Sequence, residues 1–196
     1  MAVTSQRRLQ PSDTRRYGQV REHFAIPDLT KIQTESYARF FAEQRGLDTV
    51  VVRPFNVYGP GEHPGPYRNV IPNFFRRAME GEPLRVTGTG DETRDFTYVD
   101  DAVRAMLAAM DASTHPGEAL NIATGVETRI ADLAAHVNRL VGNAAGLVFD
   151  PPRSWDAVSR RCGTTALARR RIGFTASVGL DEGLEATWRW LRSTHG

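Results

Sequence analysis

The apolar positions along this chain alternate between two periods. Val99, Val103, Met106, Leu107 and Met110 fall at i, i+4, i+7, i+8 and i+11, which predicts an amphipathic helix with those residues inward. Ile130, Leu133, Ala134, Val137, Leu140 and Val141 repeat the pattern, with Gly142 as the stop. Ile71, Phe74, Phe75 and Ala78 predict another helix, with Pro72 tolerated in its first turn. A further helix is expected from Asp28, capped by Asp28 or Thr30, with Tyr37, Phe40 and Phe41 as its apolar face and Gly46 as its end. Between these helices lies the β-branched run 49–52, the signature of a parallel strand covered on both faces. Shorter strands are predicted at 84–86, 95–98, 119–122 and 147–149. Two helices, about 164–171 and 181–193, close the chain, the last with Leu184, Trp188 and Leu191 inward. Residues 1–27 are broken by Pro11, Gly18 and Pro27 and are expected to be irregular. The alternation makes this an α/β chain.

Composition narrows the function classes. No apolar run approaches the roughly 18 residues of a membrane helix, and the start has no secretory h-region, so the cytoplasm is the expected compartment. The net charge of +2 is too small and too scattered to predict nucleic-acid binding. Cys162 is the only cysteine, which excludes an internal disulfide and a Cys-based zinc site. The five histidines lack ligand spacing, so no metal is expected. Every basic residue except Lys31 is arginine, which makes that lysine informative, since an ammonium point charge stands where arginine is used elsewhere.

Three segments carry candidate chemistry. Residues 53–61, Arg-Pro-Phe-Asn-Val-Tyr-Gly-Pro-Gly, follow the buried strand directly, and loops at the carboxyl ends of parallel strands are where α/β sheets place ligands. Asn56 there is either a ligand contact or the satisfied side chain of a tight turn. Residues 87–96 hold two glycines spaced as in a dinucleotide fingerprint, but the third is missing and a strand follows. Arg94 in that segment is either a bidentate diphosphate clamp or the partner of Asp91 or Asp95. Arg153, after Asp150-Pro151-Pro152, is a second candidate clamp.

In this order the pieces resemble the extended short-chain dehydrogenase/reductases, the NAD-dependent epimerases, dehydratases and decarboxylases of sugar nucleotides. Residues 53–61 resemble the family's loop after its sixth strand, and residues 87–101, ending Arg-Asp-Phe-Thr-Tyr-Val-Asp-Asp, its substrate-domain hairpin and following helix. Leu120-Asn121-Ile122-Ala123-Thr124-Gly125 is similar to its late strand and turn, and residues 180–190 to its closing helix. The resemblance spans about 28–193. It implies the last strands and helices of a Rossmann-like parallel sheet, left incomplete, plus a small α/β substrate-binding subdomain with elements mainly in 56–98 and 143–180. It implies sugar and phosphate contacts from Asn56, Asn69 and Val70, a diphosphate grip by Arg94 and Arg153, and a base pocket at Val86. Lys31 falls on the lysine of the family's Tyr-x-x-x-Lys pair, and Lys31 and Asn56 are the implied NAD(P) contacts.

Two departures qualify the expected activity. Pro27 stands at the tyrosine position, and the chain has no Gly-x-x-Gly-x-x-Gly strand-turn-helix, so NAD binding by this chain alone is not expected. Three readings follow. The chain is a truncated piece of a sugar-nucleotide epimerase/dehydratase, a non-catalytic pseudoenzyme that binds a nucleotide-diphosphate sugar or a partner, or one half of a split enzyme. Each leaves a sheet edge and apolar surface that a second copy or a partner chain is expected to cover; in the family the helix at 28–44 contributes to a dimer interface.

Overall fold

The computed structural model describes residues 26–65, 69–112, 118–152 and 158–195. Helix α1 (Ile26–Arg45) leads to strand β1 (Val51–Pro54) and the short β2 (Val57–Tyr58). Then come α2 (Val70–Met79), β3 (Leu84–Thr87), β4 (Thr93–Arg94), β5 (Thr97–Tyr98) and α3 (Val99–Asp111). The remainder is β6 (Ala119–Ile122), β7 (Thr128–Arg129), α4 (Ile130–Val141), β8 (Leu147–Asp150), β9 (Arg160–Arg161), α5 (Ala166–Ile172) and α6 (Leu180–His195). The α/β class expected from the periodicity is the observed one. No helix among the described residues is long and apolar enough to cross a membrane.

Two parallel pairs organise the molecule. β1 lies beside β6 in the register Val51↔Ala119 to Pro54↔Ile122, and β3 lies beside β8 from Leu84↔Leu147 to Thr87↔Asp150. β2 pairs with β5 in parallel, and a separate three-stranded sheet is ordered β7-β4-β9. The larger core gathers Ile71, Phe74, Phe75, Leu84, Val86, Leu133, Val137, Leu184 and Leu191 from α2, β3, α4 and α6. The smaller sets Leu120 and Ile122 of β6 against Ala105, Ala109, Ala168 and Phe174. Gly142 ends α4 with φ 80°, and its N–H donates to the Asn138 carbonyl at 2.9 Å, the left-handed stop its sequence position predicts.

Several expectations need correction. Helix α1 begins at Ile26, so Asp28 and Thr30 lie inside it rather than capping it; of the segment expected to be irregular, residues 26 and 27 belong to this helix and 1–25 lie outside the described residues. Its expected apolar face is solvent-facing, with Tyr37, Phe40 and Phe41 about half exposed. The same is true of α3: Val103 is 48% exposed, Leu107 57% and Met110 77%, while Asp101, Ala102, Ala105 and Ala109 face inward. Small alanines let α3 lie close to β1 and β6, and a pattern scored by large apolar residues picked the wrong face. Of the strand expected at 95–98 only Thr97–Tyr98 forms, with a separate short strand at Thr93–Arg94 before it, and between them the Asp95 carboxylate binds the 124–125 turn.

Buried Asp101 ties α3 to the segment before α6. Its carboxylate accepts the Ser177 and Val178 N–H groups at 2.9 and 3.0 Å, the Ser177 hydroxyl at 3.0 Å, and pairs with Arg104 at 2.5 Å. Burial pushes its pKa up, but these donors outweigh burial and hold it below the ordinary carboxylate value. Asp101→Asn is expected to cost about 1.5–3 kcal/mol in urea denaturation at neutral pH. A depressed folded pKa contributes stability that is present above the unfolded value and lost as pH falls through the folded one. The gap between wild type and variant should therefore shrink below about pH 4.

Candidate functional site

The Gly/Pro-rich loop after β1, helix α2, strand β3 and the 87–96 segment enclose a cavity of about 720 Å3. That volume lies within the roughly 300–1,000 Å3 of small-molecule sites. Side chains reach it by two periodicities. On α2 and its approach, Asn69, Asn73, Arg76 and Arg77 recur at i, i+4, i+7 and i+8 and line one wall, while Ile71, Phe75 and Ala78 enter the core. On β3, Leu84 and Val86 are buried, so the alternate residues Arg85 and Thr87 face the cavity. Asp150 and Pro152, at and beyond the end of β8, complete that side.

Asn56 stands at the carboxyl end of β1, as its loop position predicts, and lines the cavity. Its φ of 32° is the only positive value among the described non-glycine residues. Its amide nitrogen donates to the Asp95 carbonyl at 2.7 Å, so it serves the turn and the cavity wall together. Asn69 precedes α2 without capping it. Its side chain instead donates to the Val57 carbonyl at 3.1 Å and to Glu62 at 2.9 Å, which draws it across the cavity rim. Arg94 also lines the cavity, with Nη1 donating to the Thr93 carbonyl at 2.8 Å. The carboxylates offered as alternatives for it are engaged elsewhere: Asp91 pairs with Arg129, and Asp95 faces the 124–125 turn and Gly163.

The opposite end is rich in paired arginines. Arg85 forms a bidentate pair with Asp150 at 2.8 and 2.5 Å, Arg76 pairs with Glu80 at 3.0 Å, and Arg77 with Glu82 at 2.9 Å. Hydrogen bonding to Asp150 raises the Arg85 pKa further above its ordinary value. None of the described lining residues is a histidine, tyrosine, lysine, cysteine or serine. The described wall offers amide and guanidinium donors beside the carboxylates of Glu92 and Asp150.

The implied site residues separate. Asn56, Asn69, Val70 and Arg94 meet in this cavity. Val86 does not: it is fully buried in the larger core, and its neighbours Arg85 and Thr87 supply the wall. Arg153 lies outside the described residues. Lys31 is exposed on α1, one turn before Glu35, which pairs with Arg53, and it does not line the cavity with Asn56. Lys31 and Asn56, the two implied NAD contacts, are thus not both part of this cavity's described lining. The Gly-Thr-Gly turn is not a phosphate cradle either. Glu92 accepts the Thr89 and Gly90 N–H groups at 3.3 and 2.8 Å, so a carboxylate already occupies the donors a phosphate would use. Asn73, Arg76, Arg77, Arg85 and Asp150 escaped the sequence reading; helical spacing from Asn69 reaches the first three and strand alternation around Val86 reaches Arg85, while Asp150 enters only through the pairing of β3 with β8.

Comparison with known proteins bears on this geometry. Residues 14–123 match the model of the NAD dependent epimerase/dehydratase family. The chain is 36% identical to a UDP-N-acetyl-alpha-D-glucosaminuronate decarboxylase of Bacillus cytotoxicus over 92% of this chain and 57% of that protein. It is 32% identical to a UDP-glucose 4-epimerase of Mycolicibacterium smegmatis over 83% of this chain and 51% of that one. Among solved structures, the Thermotoga maritima UDP-glucose 4-epimerase with UDP-glucose superposes with a TM-score of 0.81 and 36% identity, covering 85% of this chain and 53% of that one. The Bordetella bronchiseptica enzyme WbmF in complex with NAD+ and UDP gives 0.71 and 40%, covering 82% and 50%. The chain spans about half the length of the curated relatives it matches.

Proposed function

Because the chain belongs to the NAD dependent epimerase/dehydratase family, we propose that its cavity binds a nucleotide-diphosphate sugar, and that this part of the fold recognises substrate without itself carrying out hydride transfer. The observation that carries the reading is the joint lining of one cavity by Asn56, Asn69 and Arg94 together with Arg85 and Asp150. Amide and guanidinium donors suit sugar hydroxyls and a diphosphate, and the paired arginine and carboxylate suit the polar edge of a nucleoside. The elements that supply substrate contacts are mainly 56–98, joined by the end of β8 within 143–180. Relatives named for UDP- and dTDP-sugars favour these nucleotides.

NAD chemistry is not assigned to the described residues. Lys31 is not among the described residues that line the cavity, and Pro27 stands one helical turn before it. A second reading adds a second copy or a partner chain that covers the apolar surface, and with it a split enzyme. Exposed Ile32, Phe40 and Phe41 on α1, exposed Leu107 and Met110 on α3, and a β1 edge opposite β6 with no strand among the described residues favour it.

Calorimetric titration of the chain with UDP-, dTDP- and GDP-sugars, with NAD in parallel, tests the proposal. Saturable binding of one nucleotide-sugar class and none of NAD is expected. No binding of any sugar nucleotide would refute substrate recognition, and a micromolar NAD site would refute the assignment of hydride chemistry elsewhere.

A further inference from the structure

The wall of the cavity that holds Asn69 adjoins the loop between β2 and α2, which sets Gly59 against Tyr98 and Val99 and His63 against Trp190. Between β2 and α2 the chain passes through Gly59, Pro60 and Gly61, with φ of 147° at Gly59 and 95° at Gly61, and the described loop ends at Gly65. One side chain fastens that end to the helix. Asn73 Oδ1 accepts the Gly65 N–H at 3.0 Å, and Asn73 Nδ2 donates to the Gly65 carbonyl at 2.9 Å and to the Asn69 carbonyl at 3.1 Å. The amide thus satisfies both backbone groups of one loop residue, as a strand neighbour would, from a position one helical turn beyond Asn69. Gly65, Asn69 and Asn73 all line the cavity. Glu62 of the same loop accepts the Asn69 side chain at 2.9 Å, so the loop position sets where that amide stands.

We infer that Asn73 is a positioning residue of the cavity: by bonding both backbone groups of Gly65 it latches the 59–65 loop to α2 and so fixes Asn69 for the ligand. This rests on the nucleotide-sugar reading for its ligand, but the latch itself is a statement about the free protein. A ligand that needs the latched loop binds more weakly in proportion to the fraction of molecules that hold it. Only an amide meets both demands, because one atom must accept from Gly65 and its neighbour must donate to it. A carboxylate of the same size keeps the acceptor and turns the donor into a second acceptor facing two carbonyls. Protonation would return a donor.

The test uses Asn73→Ala and Asn73→Asp beside wild type. Hydrogen exchange of the Gly65 amide, without ligand, is expected to accelerate about tenfold or more in both variants at neutral pH, while the core amides of β3 and α4 keep their protection. UDP-glucose affinity is expected to fall about tenfold in both. In N73D alone it should recover as pH falls through the range of the introduced carboxyl. Glu62 and His63 on the loop, and Arg76 and Arg77 one turn further on α2 with their partners Glu80 and Glu82, are the charged and titratable groups around it. They are common to all three proteins, so the wild-type profile removes their contribution. Unchanged Gly65 exchange in N73A would overturn the latch whether or not a nucleotide binds. Faster exchange with unchanged affinity, or an N73D profile parallel to wild type, would overturn its role in positioning Asn69. A wild-type chain that binds no UDP-glucose would instead sink the reading of the cavity, and Gly65 exchange would then decide the latch alone.

Discussion

Asp95→Ala is expected to remove about 4 kcal/mol or more of stability, enough to leave much of the chain unfolded at ordinary temperature. Asp95 is fully buried. Its carboxylate accepts the Thr124 N–H at 2.9 Å, the Thr124 hydroxyl at 2.7 Å, the Gly125 N–H at 2.9 Å and the Gly163 N–H at 3.3 Å, with the Cys162 thiol at 3.6 Å. Truncation to a methyl group strands three backbone donors away from water, each costing about 1–3 kcal/mol with partial relaxation. Among the described residues, no other single side chain joins the 94–96 segment, the turn after β6 and the approach to α5. Asp95→Asn should cost less, since the amide oxygen keeps part of the set. Chemical denaturation of both variants checks the order; a loss under about 1 kcal/mol in the alanine variant would contradict this account.

Arg94→Ala should reduce affinity for a nucleotide-diphosphate sugar by about one to two orders of magnitude without a comparable loss of stability. A charge-assisted contact to a diphosphate is worth about 1.5–3 kcal/mol, and each 1.4 kcal/mol is tenfold. Arg94 donates to the Thr93 carbonyl and lines the cavity together with Arg85 and Asp150. Arg94→Lys keeps the charge but loses the planar fork, and should recover only part of the affinity. Raising the salt concentration should weaken wild type more than the alanine variant, because the removed contact is electrostatic. Equal affinity in wild type and Arg94→Ala would exclude Arg94 from the site.

The sequence made some of this legible and obscured the rest for identifiable reasons. The β-branched run before Arg53 placed β1 and put Asn56 at its carboxyl end, because continuous apolar runs and loop chemistry are both local signals. The α4 stripe from Ile130 to Val141 was read correctly on the same ground. Helix α3 was not. Its buried face is alanine, chosen for close approach to β1 and β6, and its large apolar residues Val103, Leu107 and Met110 point outward. A pattern that counts size as burial reverses such a helix. Val86 was placed in the ligand wall although strand alternation with Leu84 assigns it to the core. Asn73 and Asp150 gave no signal by type, since an asparagine on a helix and an aspartate before two prolines are ordinary surface residues. Their roles come from the pairing of α2 with the 59–65 loop and of β3 with β8, which are long-range facts.

Hydrogen exchange of the wild-type chain with and without UDP-glucose and dTDP-glucose tests the central claim most directly, because it reports where a ligand sits as well as whether one binds. The account predicts slower exchange in α2 near Asn69 and Asn73, in β3 around Arg85 and Thr87, and in β4 at Arg94, with α1 and α3 unchanged. Protection confined to α1 around Lys31, or no change at saturating sugar nucleotide, would contradict it.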